Sequence, residues 1–266
     1  MKKFLAVVLS VVVIICAFAG CSSGESSTSG SGGNSSESAA SSLDYFVIND
    51  GVEIIELTEE GAKQKELVIP ENITSIDNRA FAPEYFDEGI SNEILEKVTF
   101  LNPNCQLSTR TFADCTALIE IELPENLTEI PKSCFEHCEN LKNISIPDSV
   151  ISIDETAFDE CSSLETVEFG NSLTSIGEEA FRECISLTSL EFNNGLETIG
   201  DYAFADCKSI TNIVIPESVT SIGAGTFSNA YNTSGEYKIT VTQGSWADIN
   251  FDSYKSGDEN VQKVYA

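Results

Sequence analysis

Apolar residues recur along this chain with a step of 23. Leu95, Leu118, Leu141, Leu164, Leu187 and Ile210 share one register, and Phe112, Phe135, Phe158, Phe181, Phe204 and Phe227 share another. A fixed period of this length marks a solenoid, whose units are each too small to bury an apolar face and stack on their neighbours instead. Units begin at Gln64, Leu95, Leu118, Leu141, Leu164, Leu187 and Ile210, the first carrying eight extra residues. In the unit spanning 141–163 the apolar positions are the first, fourth, sixth, tenth, thirteenth and eighteenth.

Each unit divides into short elements. The alternation Ile144-x-Ile146, repeated as Ile121-x-Leu123, Val167-x-Phe169, Leu190-x-Phe192 and Ile213-x-Ile215, predicts a strand with one face inward. Successive coils would stack these strands in parallel. Pro70, Pro124, Pro147 and Pro216 end the strand, and Val150-x-x-Ile153 or Val219-x-x-Ile222 predicts a second extended piece. Gly177, Gly200 and Gly223 then mark a left-handed or tight turn. The stretch after it, such as Glu178 to Glu183, has helix formers but room for only a turn or two. The unit at Leu95 departs most, with Leu101 in place of Pro and Asn104 at an apolar position, which predicts an irregular coil. The fold class is a β-rich repeat solenoid of 23-residue units with parallel strands and short helical turns.

An open solenoid exposes apolar coil faces at both ends, so caps are required. Phe46 to Ile55 reads as two strands around an Asp-Gly turn, giving an N-terminal hairpin over 43–63. The repeats occupy 64–232, with an insertion at about 83–90, and 233–266 forms the C-terminal cap. Within that cap Tyr237 to Thr242 reads as the final strand, Gly244 to Asp248 as the start of a covering helix, and Trp246 as a packing residue.

The consensus Leu-x-x-Ile-x-Ile-Pro-x-x-Val-x-x-Ile-Gly-x-x-Ala-Phe-x-x-Cys resembles the BspA-like, or Treponema pallidum-type, leucine-rich repeat. With its caps the resemblance covers about Leu43 to Ala266. It implies a right-handed leucine-rich solenoid on a bacterial surface, in a family with adhesins and ligand-binding surface proteins among its members. It implies no single ligand.

The N-terminus carries an address. Met1-Lys2-Lys3 precedes an apolar run from Phe4 to Phe18, the plan of a secretion signal and too short for a comfortable membrane span. Phe18-Ala19-Gly20-Cys21 resembles the lipobox of bacterial lipoproteins. That resemblance implies cleavage after residue 20, lipidation of Cys21, and a chain anchored to the membrane outside the cytoplasm. Residues 21–42 are almost wholly Ser, Gly, Glu, Thr and Ala after the cysteine, a flexible tether averaging roughly 25 Å.

Acidity narrows the function. The 266 residues hold 14 Lys and Arg against 43 Asp and Glu, a net charge of −29, which would repel nucleic acid and anionic headgroups. Nine cysteines in an exported protein would ordinarily suggest disulfides. Here Cys115, Cys138, Cys161, Cys184 and Cys207 hold the same place in five successive units and read as a buried column of free thiols. Cys134 substitutes for a small buried residue, Cys105 is expected to be exposed, and Cys16 leaves with the signal. Cys134-x-x-His137-Cys138 has zinc-binding residue types. Two of its members are explained as buried repeat positions, though, and His137 stands where other units place a solvent-facing acid. No metal or cofactor is expected. With one histidine in the chain and no phosphate loop, neither is catalysis.

The outward strand positions remain. Glu120, Glu122, Glu168 and Glu191 lie on that face, suited to Lys or Arg on a partner, and are the candidate ligand-binding residues. The insertion, with Tyr85 and Phe86 among acids, is a second candidate. The expected function is an adhesin-like surface module, monomeric, that binds a protein ligand. The alternative is an envelope scaffold without an external ligand.

Overall fold

A computed structural model describes residues 43–82, 93–230, 237–254 and 261–266. The secretion signal, Cys21, the tether and the insertion lie outside the described residues.

Two extended segments per coil build the solenoid. The front strands are Glu66–Ile69, Lys97–Phe100, Glu120–Glu122, Asn143–Ser145, Thr166–Glu168, Ser189–Glu191, Asn212–Val214, Tyr237–Val241 and Val261–Tyr265. Every hydrogen-bonded pair among them is parallel and in register one coil on, as in Val167 against Ile144 and Ile213 against Leu190. The flank strands are two residues long: Ser75–Ile76, Glu129–Ile130, Ser152–Ile153, Ser175–Ile176, Thr198–Ile199 and Ser221–Ile222. The last five form one continuous parallel sheet.

The inward set is the one the period predicts. Leu141, Ile144, Ile146, Val150, Ile153 and Phe158 are all buried, as are most of their counterparts in neighbouring coils. The phenylalanines stack from Phe81 to Phe227 with ring centroids 4.9 to 5.9 Å apart and near-parallel planes. Beside them runs the cysteine column, free and buried. Its thiols donate to carbonyls of the preceding coil: Cys138 Sγ to Phe112 O at 3.2 Å, Cys161 to Phe135 O at 3.1 Å and Cys184 to Phe158 O at 3.2 Å. The sulfur thus fills the column and also satisfies a backbone acceptor. Burial pushes these thiols well above their ordinary range, so they are poor nucleophiles.

Four expectations need correction. The segment after the flank strand forms successive turns with no α-helix, because residues such as Glu179 and Glu183, and their equivalents Thr156 and Glu160, adopt φ of 53° to 58°. A helix cannot propagate through left-handed residues. Alternate backbone N–H groups bond to the next coil instead, Phe135 N–H to Ala157 O and His137 N–H to Asp159 O, both 2.8 Å. Second, of the left-handed or tight conformation expected at the turn glycines, the left-handed form does not occur at Gly200; a Cβ there would lie 2.5 Å from Glu178 N, so the glycine permits close approach of two coils. Third, Cys105 is fully buried. The Leu95 coil is irregular, as expected: its flank strand shrinks to a single bridge from Ser75 to Gln106, and Cys105 turns inward while its neighbour Asn104 is exposed. Burial pushes its thiol up to about 12. Fourth, Tyr237–Val241 is not the final strand, since Val261–Tyr265 pairs beyond it over five residues.

The caps otherwise follow the sequence. Phe46–Asn49 and Glu53–Leu57 form an antiparallel hairpin whose turn places Asp50 and Gly51 at φ 50° and 76°, and it joins the flank strand Ser75–Ile76. At the other end Ser245 caps the short helix Trp246–Ile249, and Trp246 stacks on Tyr254 at 6.4 Å.

Candidate ligand-binding face

The pleat that buries Ile121, Ile144 and Leu190 turns their neighbours outward, so Glu120, Glu122, Glu168 and Glu191 are all exposed on the front sheet. The structure separates them into two kinds. Glu120 faces Lys97 in the adjacent strand, Nζ to Oε1 2.7 Å, and is already neutralised from within the chain. Hydrogen bonding to that carboxylate raises the Lys97 pKa. Glu122, Glu168 and Glu191 have no ion pair among the described residues. They share one column, in which Ser145 lies between Glu122 and Glu168.

The front sheet is not continuous beneath this column. Its hydrogen-bonded order is interrupted between Glu120–Glu122 and Asn143–Ser145, and again between Thr166–Glu168 and Ser189–Glu191. At the first interruption lies an open groove of about 430 Å³, lined by Ile121, Glu122, Leu123, Glu125, Ser145, Pro147 and Asp148. Asp148 Oδ1 accepts from the backbone and side-chain N–H groups of Asn171, both at 2.9 Å, which fixes its carboxylate. Glu122 and Glu125 stand exposed on the opposite side. The groove therefore combines apolar walls with three carboxylates, an environment for the aliphatic stem and cationic head of Lys or Arg.

Glu125 and Asp148 were missed by the sequence reading, which considered only the strand positions. Their signal was the Pro-acid dipeptide, Pro124-Glu125 and Pro147-Asp148, that closes each strand on the same side.

The turn ridge carries charge of a different kind. His137 lies between coils with Nδ1 2.8 Å from Asp114 Oδ1 and Nε2 3.6 Å from Glu160 Oε1. The hydrogen bond to Asp114 raises its pKa to about 9, against the opposing effect of burial. Cys134 and Cys138 point into the core on the other side of the backbone, so the three do not converge on one point. Next along the ridge Arg182 gathers Asp159 at 2.8 Å, Glu183 at 2.9 Å, Glu160 at 3.5 Å and Glu179 at 3.7 Å. Asp159 is 3% exposed, and its burial, only partly offset by Arg182, raises its carboxyl pKa to about 6.

A parallel-stranded solenoid of about eight turns, with inward Leu, Ile and Phe at a 23-residue spacing, is a leucine-rich repeat protein. The profile of the BspA type leucine rich repeat region matches in six copies over residues 57–148, 86–194 and 128–245, and the chain belongs to that family. Leucine-rich repeat proteins generally mediate protein interactions. Among solved structures the chain is similar to a T. pallidum leucine rich repeat protein, at 25% identity and a TM-score of 0.65, covering 85% of this chain and 99% of that one. It is also similar to a leucine rich cell surface protein of Faecalibacterium prausnitzii, at 18% identity and a TM-score of 0.43, covering 84% and 86%. A third similarity is to a leucine-rich repeat protein of Eubacterium ventriosum, at 20% identity and a TM-score of 0.37, covering 76% and 73%. No curated protein matches the chain.

Proposed function

We propose that this chain is a lipid-anchored bacterial surface protein that binds a protein ligand through the acidic column of its front sheet. The observation that carries this reading is the contrast in pairing: Glu122, Glu168 and Glu191 stay exposed with no ion pair among the described residues, Glu122 lining the groove, while Asp114, Asp159 and Glu160 on the ridge are matched with cations of the same chain. Unpaired like charges in one column repel each other, and a basic partner segment would relieve that repulsion. The 23-residue step places Glu168 and Glu191 one coil apart and Glu122 two coils from Glu168, a spacing that an extended segment can follow. No residue takes a catalytic role in this reading.

The anchor rests on Phe18-Ala19-Gly20-Cys21 and the Ser/Gly-rich stretch after it. Among the described residues no helix is long and apolar enough to cross a membrane. An acyl chain on Cys21 would supply attachment, and the tether would hold the solenoid off the surface. Growth with an alkyne-labelled fatty acid should label the wild type and leave Cys21→Ser unlabelled; label in both would remove the anchor from this reading.

Ligand binding is tested by pull-down from surface and matrix proteins, with the Glu122→Lys/Glu168→Lys double variant beside the wild type. A partner held by the wild type and lost by the equally stable variant is the expected result. A partner held by both would place binding elsewhere, and none with either would favour the scaffold alternative.

A further inference from the structure

Among the described residues, Val261–Tyr265 is the outermost strand of the front sheet. Val261–Tyr265 pairs on one side with Tyr237–Val241 over its whole length, and on the other side no described strand follows. Backbone groups alternate sides along a strand. Ala266 N–H donates to Val241 O, so the N–H and C=O groups of residues 262 and 264 point inward with it, and those of Val261, Lys263 and Tyr265 point out. Natural edges are protected by charge, proline or a bulge. Here the one charged residue of the strand is withdrawn: Lys263 Nζ lies 2.6 Å from Asp248 Oδ1 and donates to Asp248 O at 2.9 Å. Val264 and Tyr265 are 37% and 53% exposed, and Ile249, next to Asp248, is 75% exposed.

We infer that this edge pairs with the same edge of a second copy, making a two-fold dimer through antiparallel Val261–Tyr265 strands. Charge decides the occupant. The chain carries −29 in all, yet the described residues around this edge, 237–254 and 261–266, hold Lys238 and Lys263 against Asp248 and Asp252. Charges of both signs balance among these residues, so two copies meet here with less repulsion than an approach through the acidic coils would bring. The register is self-complementary as well. A two-fold axis at Lys263 sets Val261 opposite Tyr265 of the mate, and the outward residues then exchange N–H···O=C bonds in both directions. Each Lys263 is already neutralised by its own Asp248. The interface falls at the small, weak end of the range for protein pairs. It is independent of the acidic column, which faces outward from the sheet and stays open in the dimer.

The test is sedimentation equilibrium of the chain from Ser22 to Ala266 between about 5 and 500 μM, a range chosen for a weak interface, with hydrogen exchange at both extremes. The expected result is a reversible monomer–dimer equilibrium in which exchange at Lys263 and Tyr265 slows at high concentration. Tyr265→Pro, which removes an outward N–H, should weaken dimerisation at least tenfold. Val261→Pro, at the first strand position, does the same to the other end of the pairing and serves if Tyr265→Pro unfolds the cap. A monomer at every concentration, or a dimer that both proline variants keep, would overturn the inference.

Discussion

The two charged surfaces of this solenoid are built from the same residue types at the same period, and they end up opposite in character. On the turn ridge, Asp114, His137, Glu160 and Arg182 fall one coil apart and link into a chain of contacts of 2.8 to 3.6 Å. On the front sheet, Glu122, Glu168 and Glu191 share a column and have no ion pair among the described residues. The ridge places its charges against coil backbones, where an unmatched carboxylate such as Asp159 would be costly. The front sheet holds its charges in water, where leaving them unmatched costs little. Burial therefore dictates pairing on the ridge, whereas exposure leaves the front column free to serve a partner.

The largest effect should come from breaking the ridge. Arg182→Met leaves Asp159 buried without its cation, and losing one partner of a buried pair costs about 3 kcal/mol. The loss should depend on pH with a defined sign. Because the folded Asp159 carboxyl titrates near 6, above its ordinary 3.8, protonation favours the folded state as the pH falls through 6. Chemical denaturation at about pH 8 should show the full loss and at about pH 5 much less of it. An equal loss at both would mean that Asp159 is not the group left behind. The matching experiment on the front sheet is Glu122→Lys/Glu168→Lys, which should shift stability by no more than about 0.5 kcal/mol. Affinity for a basic ligand should fall at least tenfold in the same variant, about 1.4 kcal/mol. A melt as damaged as that of Arg182→Met would erase the distinction between the two surfaces.

The sequence showed the front sheet more clearly than the ridge, for a physical reason. A strand has period two, so Ile144-x-Ile146 announces which neighbours face out, and all four glutamates chosen that way are exposed. The turn segment has no such period. Its path depends on left-handed φ at residues such as Thr156 and Glu179, where a helix-forming sequence is overruled by hydrogen bonds from coil to coil. For that reason the contacts of Arg182 with Asp159 and Glu160 were invisible, although their spacings of 23 and 22 were in plain view. Cys105 failed through phase: its irregular coil exposes Asn104 and buries the next residue, which a strict period could not anticipate. The final strand failed because Val261–Tyr265 has no unit around it to carry the repeat.

A smaller effect is expected from His137, the partly exposed histidine of the ridge. Its folded pKa of about 9 lies above the ordinary 6.5, set first by the Asp114 hydrogen bond and then helped by Glu160, Asp114 and Glu136. Its contribution is complete below about 6.5 and lost as the pH rises through 9. The imidazole is 37% exposed, so solvent screening limits the gain to about 1 kcal/mol. Thermal melts of the wild type and His137→Gln should differ at about pH 6 and converge by about pH 10.5. A gap unchanged by pH would show that shape, not charge, is what His137 supplies.

The smallest expected effect tests the boundary between the surfaces. Glu120 belongs to the front sheet by position but to the ridge by behaviour, because Lys97 neutralises it across adjacent strands. Exposed pairs of this kind contribute little to stability, and salt weakens them further. Glu120→Gln should therefore leave the melting temperature almost unchanged, with any difference vanishing at about 1 M salt. In ligand binding it should behave unlike its neighbour: Glu122→Gln removes an open charge, whereas Glu120→Gln releases Lys97 and makes the face locally more basic. If both variants weakened a basic ligand equally, Lys97 would have to surrender Glu120 on binding, and the ligand would have to compete with an ion pair already formed. Measured in parallel by calorimetry at two salt concentrations, the two substitutions would show whether pairing in the free protein or position on the sheet decides which carboxylates a partner meets.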